Sequence, residues 1–237
     1  MSPDLSVIIP VYNEEKRIGG SLQTIVAYLA EHGIDWEIIV VDDGSTDQTV
    51  QVVKAVAADF PDIHLIQNEH NQGKGAVIRQ GMLLAKGQQI LFSDADLSTP
   101  IGEYQKLNTA LQEGVDVAIG SRALAQSKLL VKQPLHRQLF GKFFNLLVRL
   151  FYLPSLHDTQ CGFKLFTRKA ARAIFEKQQI DSLVFDVEVL YLARILGLKI
   201  QEIPVSWINS EDSKFKTNLR NAFLVFRDLA KIRWLHS

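Results

Sequence analysis

The chain has 237 residues, 47% of them apolar, which suits one α/β domain with a sizeable core and is short for two. Lysine plus arginine equals aspartate plus glutamate at 26 each, so the basic excess expected of a nucleic-acid partner is missing. A single cysteine, Cys161, excludes an intramolecular disulfide and a Cys-based zinc site and fits a reducing, cytoplasmic compartment.

In chain order, Leu5–Val11 (LSVIIPV), residues 37–41 (EIIVV), Ile63–Gln67, Gln89–Ser93 (QILFS) and residues 115–120 (VDVAIG) read as short apolar strands. Helical spacing fills the intervals at Ile18–Glu31, Thr49–Asp59, residues 76–86 and residues 101–112. Strands alternating with amphipathic helices imply a mostly parallel, Rossmann-like sheet flanked by helices, with ligands bound beyond the carboxyl ends of the strands. The second half is less regular. Residues 135–153 (LHRQLFGKFFNLLVRLFYL) are apolar with interspersed basic residues, and a Gly- and Cys-containing segment follows at residues 158–166 (DTQCGFKLF). Helices are expected from about Lys169 and about Phe185, a strand over residues 200–207, and a basic amphipathic helix over residues 218–235. No repeat, low-complexity tract or linker divides the chain, which reads as one domain over residues 1–237. The N-terminus lacks the layout of a signal peptide, and no apolar stretch reaches the roughly 18 residues that span a bilayer. A protein that is soluble or peripheral to a membrane is therefore expected.

Polar clusters follow four of the strands: residues 12–15 (YNEE), 42–47 (DDGSTD), 94–96 (DAD) and 120–122 (GSR). Asp94 and Asp96, with Ala95 between them, lie one pleat period apart if the strand persists, so both carboxylates point the same way. Such a pair suits Mg²⁺ or Mn²⁺, which takes one or two carboxylates plus substrate phosphates. The plainer reading is a solvated turn in which Ser98 and Thr99 cap a helix beginning near Pro100. Convergence of the other loops favours the metal.

Asp42 and Asp43 stand at a strand mouth, where a carboxylate accepts hydrogen bonds from a base or ribose, whereas Asp47 is placed to cap the next helix. Gly73-Lys74-Gly75 is not a Walker loop, since the spacing G-x-x-x-x-G-K-S/T is absent, and no G-x-G-x-x-G follows the first strand. The glycines permit a tight turn, and Lys74 is expected to face the ligand. His32, His64, His70 and His157 show no metal-ligand spacing; Cys161, Trp36 and Trp207 read as packed residues.

Pro10-Val-Tyr-Asn-Glu14, Asp42-Asp-Gly-Ser45, Gly73-Lys-Gly75 and Asp94-Ala-Asp96 occur in the order seen in inverting GT-A glycosyltransferases of family 2, which the chain resembles. Gly120-Ser-Arg-Ala123, Asp158-Thr-Gln-Cys-Gly-Phe-Lys-Leu-Phe-Thr-Arg168, Phe185-Asp-Val-Glu188 and Ser213-Lys214 narrow the resemblance. It points to dolichyl-phosphate β-glucosyltransferases and their prokaryotic polyprenyl-phosphate relatives and covers nearly the whole chain. The resemblance implies a GT-A fold with a nucleotide-sugar half over residues 1–122 and an acceptor- and membrane-facing half over residues 123–237. It implies that Pro10, Tyr12, Glu14 and Asp43 line the nucleoside pocket with Asp42 close by, and that Asp94 and Asp96 hold the metal and the donor diphosphate. Arg122 and Lys214 are then cations near the phosphates, and Asp158 is either a base or the group that orients them.

The implied reaction is attack by a lipid phosphate oxygen on the anomeric carbon of UDP-glucose. Other readings stay open: GDP-mannose as donor, a sugar hydroxyl as acceptor in polysaccharide synthesis, or a non-catalytic nucleotide-sugar-binding subunit. A polyprenyl-phosphate acceptor calls for a membrane-facing surface at the cytoplasmic face. Residues 135–153 offer Phe140, Phe143, Phe144, Leu147, Phe151 and Tyr152 beside His136, Arg137, Lys142 and Arg149. The last helix offers Phe223, Phe226, Ile232 and Trp234 beside Arg220, Arg227, Lys231 and Arg233, and fits a membrane or a core or homo-oligomer contact equally well.

Overall fold

The computed structural model describes residues 2–129, 135–208 and 219–236, with the opening turns of the helices at Leu135 and Leu219 described by backbone only. Its elements, in chain order, are β1 (Leu5–Val11), α1 (Ile18–Glu31), β2 (Trp36–Asp42), α2 (Thr49–Asp59), β3 (Ile63–Gln67), α3 (Lys74–Leu84) and β4 (Gln89–Ser93). A 3-10 turn (Ile101–Glu103) leads into α4 (Tyr104–Gln112), followed by β5 (Val117–Ser121), β6 (Lys128–Leu129), α5 (Leu135–Phe151) and β7 (Phe163–Thr167). The chain continues through α6 (Arg168–Phe175), α7 (Phe185–Ile195), β8 (Ile200–Pro204), β9 (Ser206–Trp207) and α8 (Leu219–Leu235).

Seven strands form one sheet in the order β3-β2-β1-β4-β7-β5-β8, and β6 and β9 pair separately. All strands of the large sheet run the same way except β7, which is antiparallel to both β4 and β5. Alternate residues of each strand feed different layers. Val7, Ile9, Ile38, Val40 and Leu91 pack under α1, α2 and α4, while Ile8, Ile39, Val41, Ile90 and Phe92 pack under α3, α5, α6, α7 and α8. Both faces are therefore covered, which is why these strands are apolar throughout. The chain leaves β1 toward β2 and β3 on one side and reaches β4 on the other, so a crevice opens at the carboxyl ends of β1 and β4.

Most expected elements are present, but β6 was not foreseen, α3 lies two residues earlier than expected, and four further differences follow. β5 begins at Val117, because Asp116 turns out to bond the amide of Lys199. β7 was not foreseen: its run FKLFT carries Lys164 where a strand buried on both faces is expected to be apolar. The strand expected over residues 200–207 divides at Val205 into β8 and β9. Ser98 and Thr99 do not cap the helix; Pro100 precedes the 3-10 turn without a side-chain cap, and the Thr99 hydroxyl lies 3.6 Å from Cys161 Sγ.

Candidate active site

The loops after β1 and β2 are stitched together by hydrogen bonds between them. Asn13, at φ 55°, donates its amide to Ser45 Oγ (2.8 Å) and accepts the Thr46 amide on Oδ1 (2.8 Å). Glu14 donates its amide to Thr49 Oγ1 (2.6 Å), and Asp47 accepts the Thr49 amide (3.0 Å) from the position before Gln48, which is the N-cap of α2 where Asp47 was expected to cap it. Gly44, at φ 74°, lets the second loop pass against His70 and Asn71, where a Cβ would meet the His70 carbonyl carbon at 2.9 Å.

The two neighbouring aspartates then divide. Asp42 points into the fold, taking the Ser45 amide (3.1 Å) on one oxygen, while the other is buried without a partner among the described residues. Asp43 faces the crevice and holds the amides of Gln72 (2.6 Å) and Gly73 (3.1 Å). Burial raises its carboxyl above the ordinary aspartate value, with the two amides opposing the rise.

A cleft of about 340 Å³ lies at this point, lined by Pro10, Tyr12, Glu14, Asp43, Lys74, Asp94, Ala95 and Asp96 among others. Asp42 is beside it and not in its lining. Arg17, Asn71 and Leu183 also line it and had no mark in the sequence; Arg17 is ion-paired with Glu14 at 2.6 Å.

Asp94 and Asp96 both reach the cleft, but not through a pleat. β4 ends at Ser93, and the pair sits in a turn closed by Leu97 N–H to Asp94 O (3.3 Å), with Leu97 at φ 47°. Asp96 accepts the Ser98 amide (2.9 Å), and Asp94 accepts an ion pair from Lys74 Nζ (2.6 Å). Gly162 makes the room: a Cβ there would lie 1.9 Å from Asp94 Oδ2. Two hard carboxylates in a polar cleft are the donor set of a Mg²⁺- or Mn²⁺-type ion that completes its shell with substrate oxygens and water. Among the described residues no third His, Cys, Asp or Glu joins them, so the remaining ligands of such an ion would come from the substrate side.

Arg122 and Asp158 form a two-point pair, Nε to Oδ2 at 2.7 Å and Nη2 to Oδ1 at 2.9 Å, and the Arg122 amide adds a third bond (2.9 Å). Burial, the largest single influence, raises the Asp158 carboxyl; the Arg122 charge, the hydrogen bonds from Arg122 and the Lys164 charge together outweigh it and hold the group below the usual carboxylate range. Glu202 fixes the backbone of this segment by accepting the His157 and Asp158 amides, both at 2.8 Å. The guanidinium carbon lies 5.5 Å from the Trp207 ring centroid. Trp207 is therefore a half-buried wall for Arg122, where a core residue was expected. This pair flanks the cleft beyond β7 without lining it. Lys214, with Ser213, lies outside the described residues.

Two charged side chains escaped the sequence. Lys164 faces the layer beneath α7 and is 1% exposed; it pairs with Asp186 (2.5 Å) and donates to Cys161 O (2.7 Å). Its signals were a lysine interrupting an apolar run and a place in the matched motif of residues 158–168. Glu188, also on α7, accepts the amides of Gln179 (2.9 Å) and Ile180 (2.8 Å), which fixes the loop that packs on Gly73 and Gly75. Cys161 is packed as expected, its thiol pushed up to about 11 by burial, and the four histidines singled out are exposed.

The model of Glycosyl transferase family 2 matches residues 6–175. The dolichyl-phosphate beta-glucosyltransferase of Drosophila melanogaster is 39% identical over 226 residues, covering 90% of this chain and 69% of its own. Its counterparts in Saccharomyces cerevisiae and Homo sapiens are 37% and 36% identical, covering 97% and 89% of this chain and 74% and 69% of theirs. Among solved structures, glucosyl-3-phosphoglycerate synthase of Mycobacterium tuberculosis, in complex with Mn²⁺, UDP and glucosyl-3-phosphoglycerate, superposes with a TM-score of 0.71 over 97% of this chain and 78% of its own. At 20% identity that likeness is one of fold, the GT-A arrangement.

Proposed function

The chain belongs to glycosyl transferase family 2, and from that premise we propose that it transfers glucose from UDP-glucose to a polyprenyl phosphate with inversion at the anomeric carbon. One observation carries the choice of substrates: identities of 34–39% to dolichyl-phosphate beta-glucosyltransferases span most of the chain, including the stretch from Arg122 through Asp158 and Asp186.

In this reading Tyr12, Glu14 and Asp43 receive the nucleoside, with Pro10 and Ala95 shaping the cleft and Asp42 bracing its floor. Asp94 and Asp96 hold Mg²⁺ or Mn²⁺ against the donor diphosphate. When bound, that ion supplies the Lewis acid that offsets charge developing on the leaving group. Lys74 lines the same cleft and pairs with Asp94. The acceptor needs little activation, because a phosphate monoester with a second pKa near ~6 is largely ionised at neutral pH. Asp158, held ionised below the usual range and gripped by Arg122, is a poor proton acceptor and serves to aim the guanidinium at phosphate oxygens. Lys214 is assigned the companion cation.

A lipid acceptor also calls for contact with a membrane surface, and α5 is the element we assign to it. Its inner face, Phe144, Val148 and Tyr152, is buried in the core, while Leu146, Leu150 and Phe151 are 52%, 66% and 59% exposed beside Arg149. No helix among the described residues is long and apolar enough to cross a membrane, so this contact would be interfacial.

Replacing the second aspartate of the cleft tests the assignment. Asp96→Ala is expected to lower glucosyl transfer at least a thousandfold while leaving the thermal transition within a few degrees; turnover close to wild type would remove the cation site from this pair.

A further inference from the structure

Four alternating charges run from the core into the cleft: Lys164, Asp186, Lys74 and Asp94. The outer pair, Lys74 with Asp94, is partly exposed, and the inner pair, Lys164 with Asp186, is sealed at side-chain exposures of 1% and 7%. Both ammonium groups approach the Phe92 ring, Lys74 at 5.3 Å and Lys164 at 5.6 Å from its centroid, so the two pairs share one small volume. After Asp94, Asp186 is the carboxylate whose charge acts most strongly on Lys74.

This arrangement bears on the cation site. Lys74 Nζ lies 2.6 Å from Asp94 Oδ1. A divalent ion binds a carboxylate oxygen at about 2.0–2.1 Å, and two cations crowded on one carboxylate repel at short range. The backbone of Lys74 has no freedom to retreat. Gly75 N–H bonds Asp181 O (2.8 Å), and a Cβ on Gly73 or Gly75 would come within 2.5 Å of the carbonyl oxygens of Asp181 and Ile180 respectively. Only the flexible side chain can move, and after Asp94 the carboxylate whose charge acts most strongly on it is Asp186, which is already paired with Lys164.

Resting on the reading of Asp94 and Asp96 as the cation site, we propose that Lys74 competes with the divalent ion for Asp94, and that Asp186, fixed by Lys164, receives the ammonium the ion displaces. Lys74 is then a positioning residue that keeps Asp94 aimed and charged, and Asp186 sets how readily the site exchanges one cation for another. Coupling of this kind makes metal affinity depend on a residue that never touches the metal.

The test is titration of Mn²⁺ alone, without nucleotide, into the full chain, read by the electron paramagnetic resonance of free Mn²⁺. Lys74→Met is expected to bind Mn²⁺ about fivefold more tightly than the parent, the factor matching the upper range for a partly exposed ion pair, and Lys74→Arg to stay within about twofold. Equal or weaker binding in Lys74→Met overturns the competition. The double substitution Lys164→Met/Asp186→Asn removes the receiving carboxylate together with its buried counter-charge. It should weaken Mn²⁺ binding about fivefold when Lys74 is present and less than about twofold when Lys74→Met is added; equal losses in both backgrounds overturn the receiving role. Mn²⁺ binding that survives Asp94→Asn would instead overturn the cation site itself, a failure distinct from the other two.

Discussion

Gly162 and Asp94 show how closely the cleft is cut to its side chains. The Asp94 carboxylate occupies the space that a side chain at 162 would fill, and its backbone amide is tied to Gly162 O at 3.0 Å. Gly162→Ala is therefore expected to push the carboxylate out of place, lowering transfer by tenfold or more and stability by about 1–3 kcal/mol; assays of activity and thermal melting check both. Asp158 gives a second prediction at this scale. Its folded pKa is depressed, so the stability it contributes is present above the ordinary aspartate value near ~3.9 and is lost as pH falls toward the folded value. Asp158→Asn should cost about 2–3 kcal/mol at pH 7, below the usual toll for a fully buried pair because the Arg122 side chain is 27% exposed. The deficit should shrink below about pH 4 in denaturant titrations. If Asp158 only aims Arg122, transfer falls by about tenfold, short of the 10²–10⁴ expected of a lost general base. Gly162 had a weak signal, a glycine within a matched motif, but its reason is a contact across 68 residues of chain that no local pattern encodes.

At the level of elements, the strands β1 to β4 were legible because each is a short, mostly apolar run, and their loops were legible because the polar residues begin where the apolar ones stop. β7 was not, because Lys164 makes FKLFT resemble a surface segment until Asp186 is seen across from it on α7. The same limit hid the turn at Asp94-Ala-Asp96: a pleat and a turn place two carboxylates one residue apart in sequence equally well, and the positive φ of Leu97 decides between them. In α5, over the residues from Phe144 onward, one apolar face enters the core and Leu146, Leu150 and Phe151 stay outside. The side chains of Phe140, Phe143, His136, Arg137 and Lys142 lie outside the described residues, as do those of Arg220 and Phe223. On α8, Leu229 and Ile232 are core residues, Tyr152 Oη reaches Leu229 O at 2.8 Å, and Trp234 is 80% exposed, so this helix is partly core. Leu150→Glu/Phe151→Glu should reduce co-sedimentation with anionic vesicles about tenfold and slow transfer to the lipid acceptor. UDP binding should be unchanged; equal vesicle binding by the variant would remove α5 from the membrane contact.

Across the whole molecule, the sheet divides the work. Strands β1, β2 and β4 carry the cleft lined by Asp43, Asp94 and Asp96, and β5, with the segment before β7, carries the Arg122–Asp158 pair on its flank. Antiparallel β7 joins the two, placing Gly162 under Asp94 and Lys164 beneath Phe92. The most direct measurement of the transfer offers the purified chain radiolabelled UDP-glucose or GDP-mannose with polyprenyl phosphate and Mg²⁺ or Mn²⁺. Label entering the organic phase from UDP-glucose, and not from GDP-mannose, is the predicted result. Label from GDP-mannose alone, or UDP-glucose bound and hydrolysed with no lipid labelled, would contradict it.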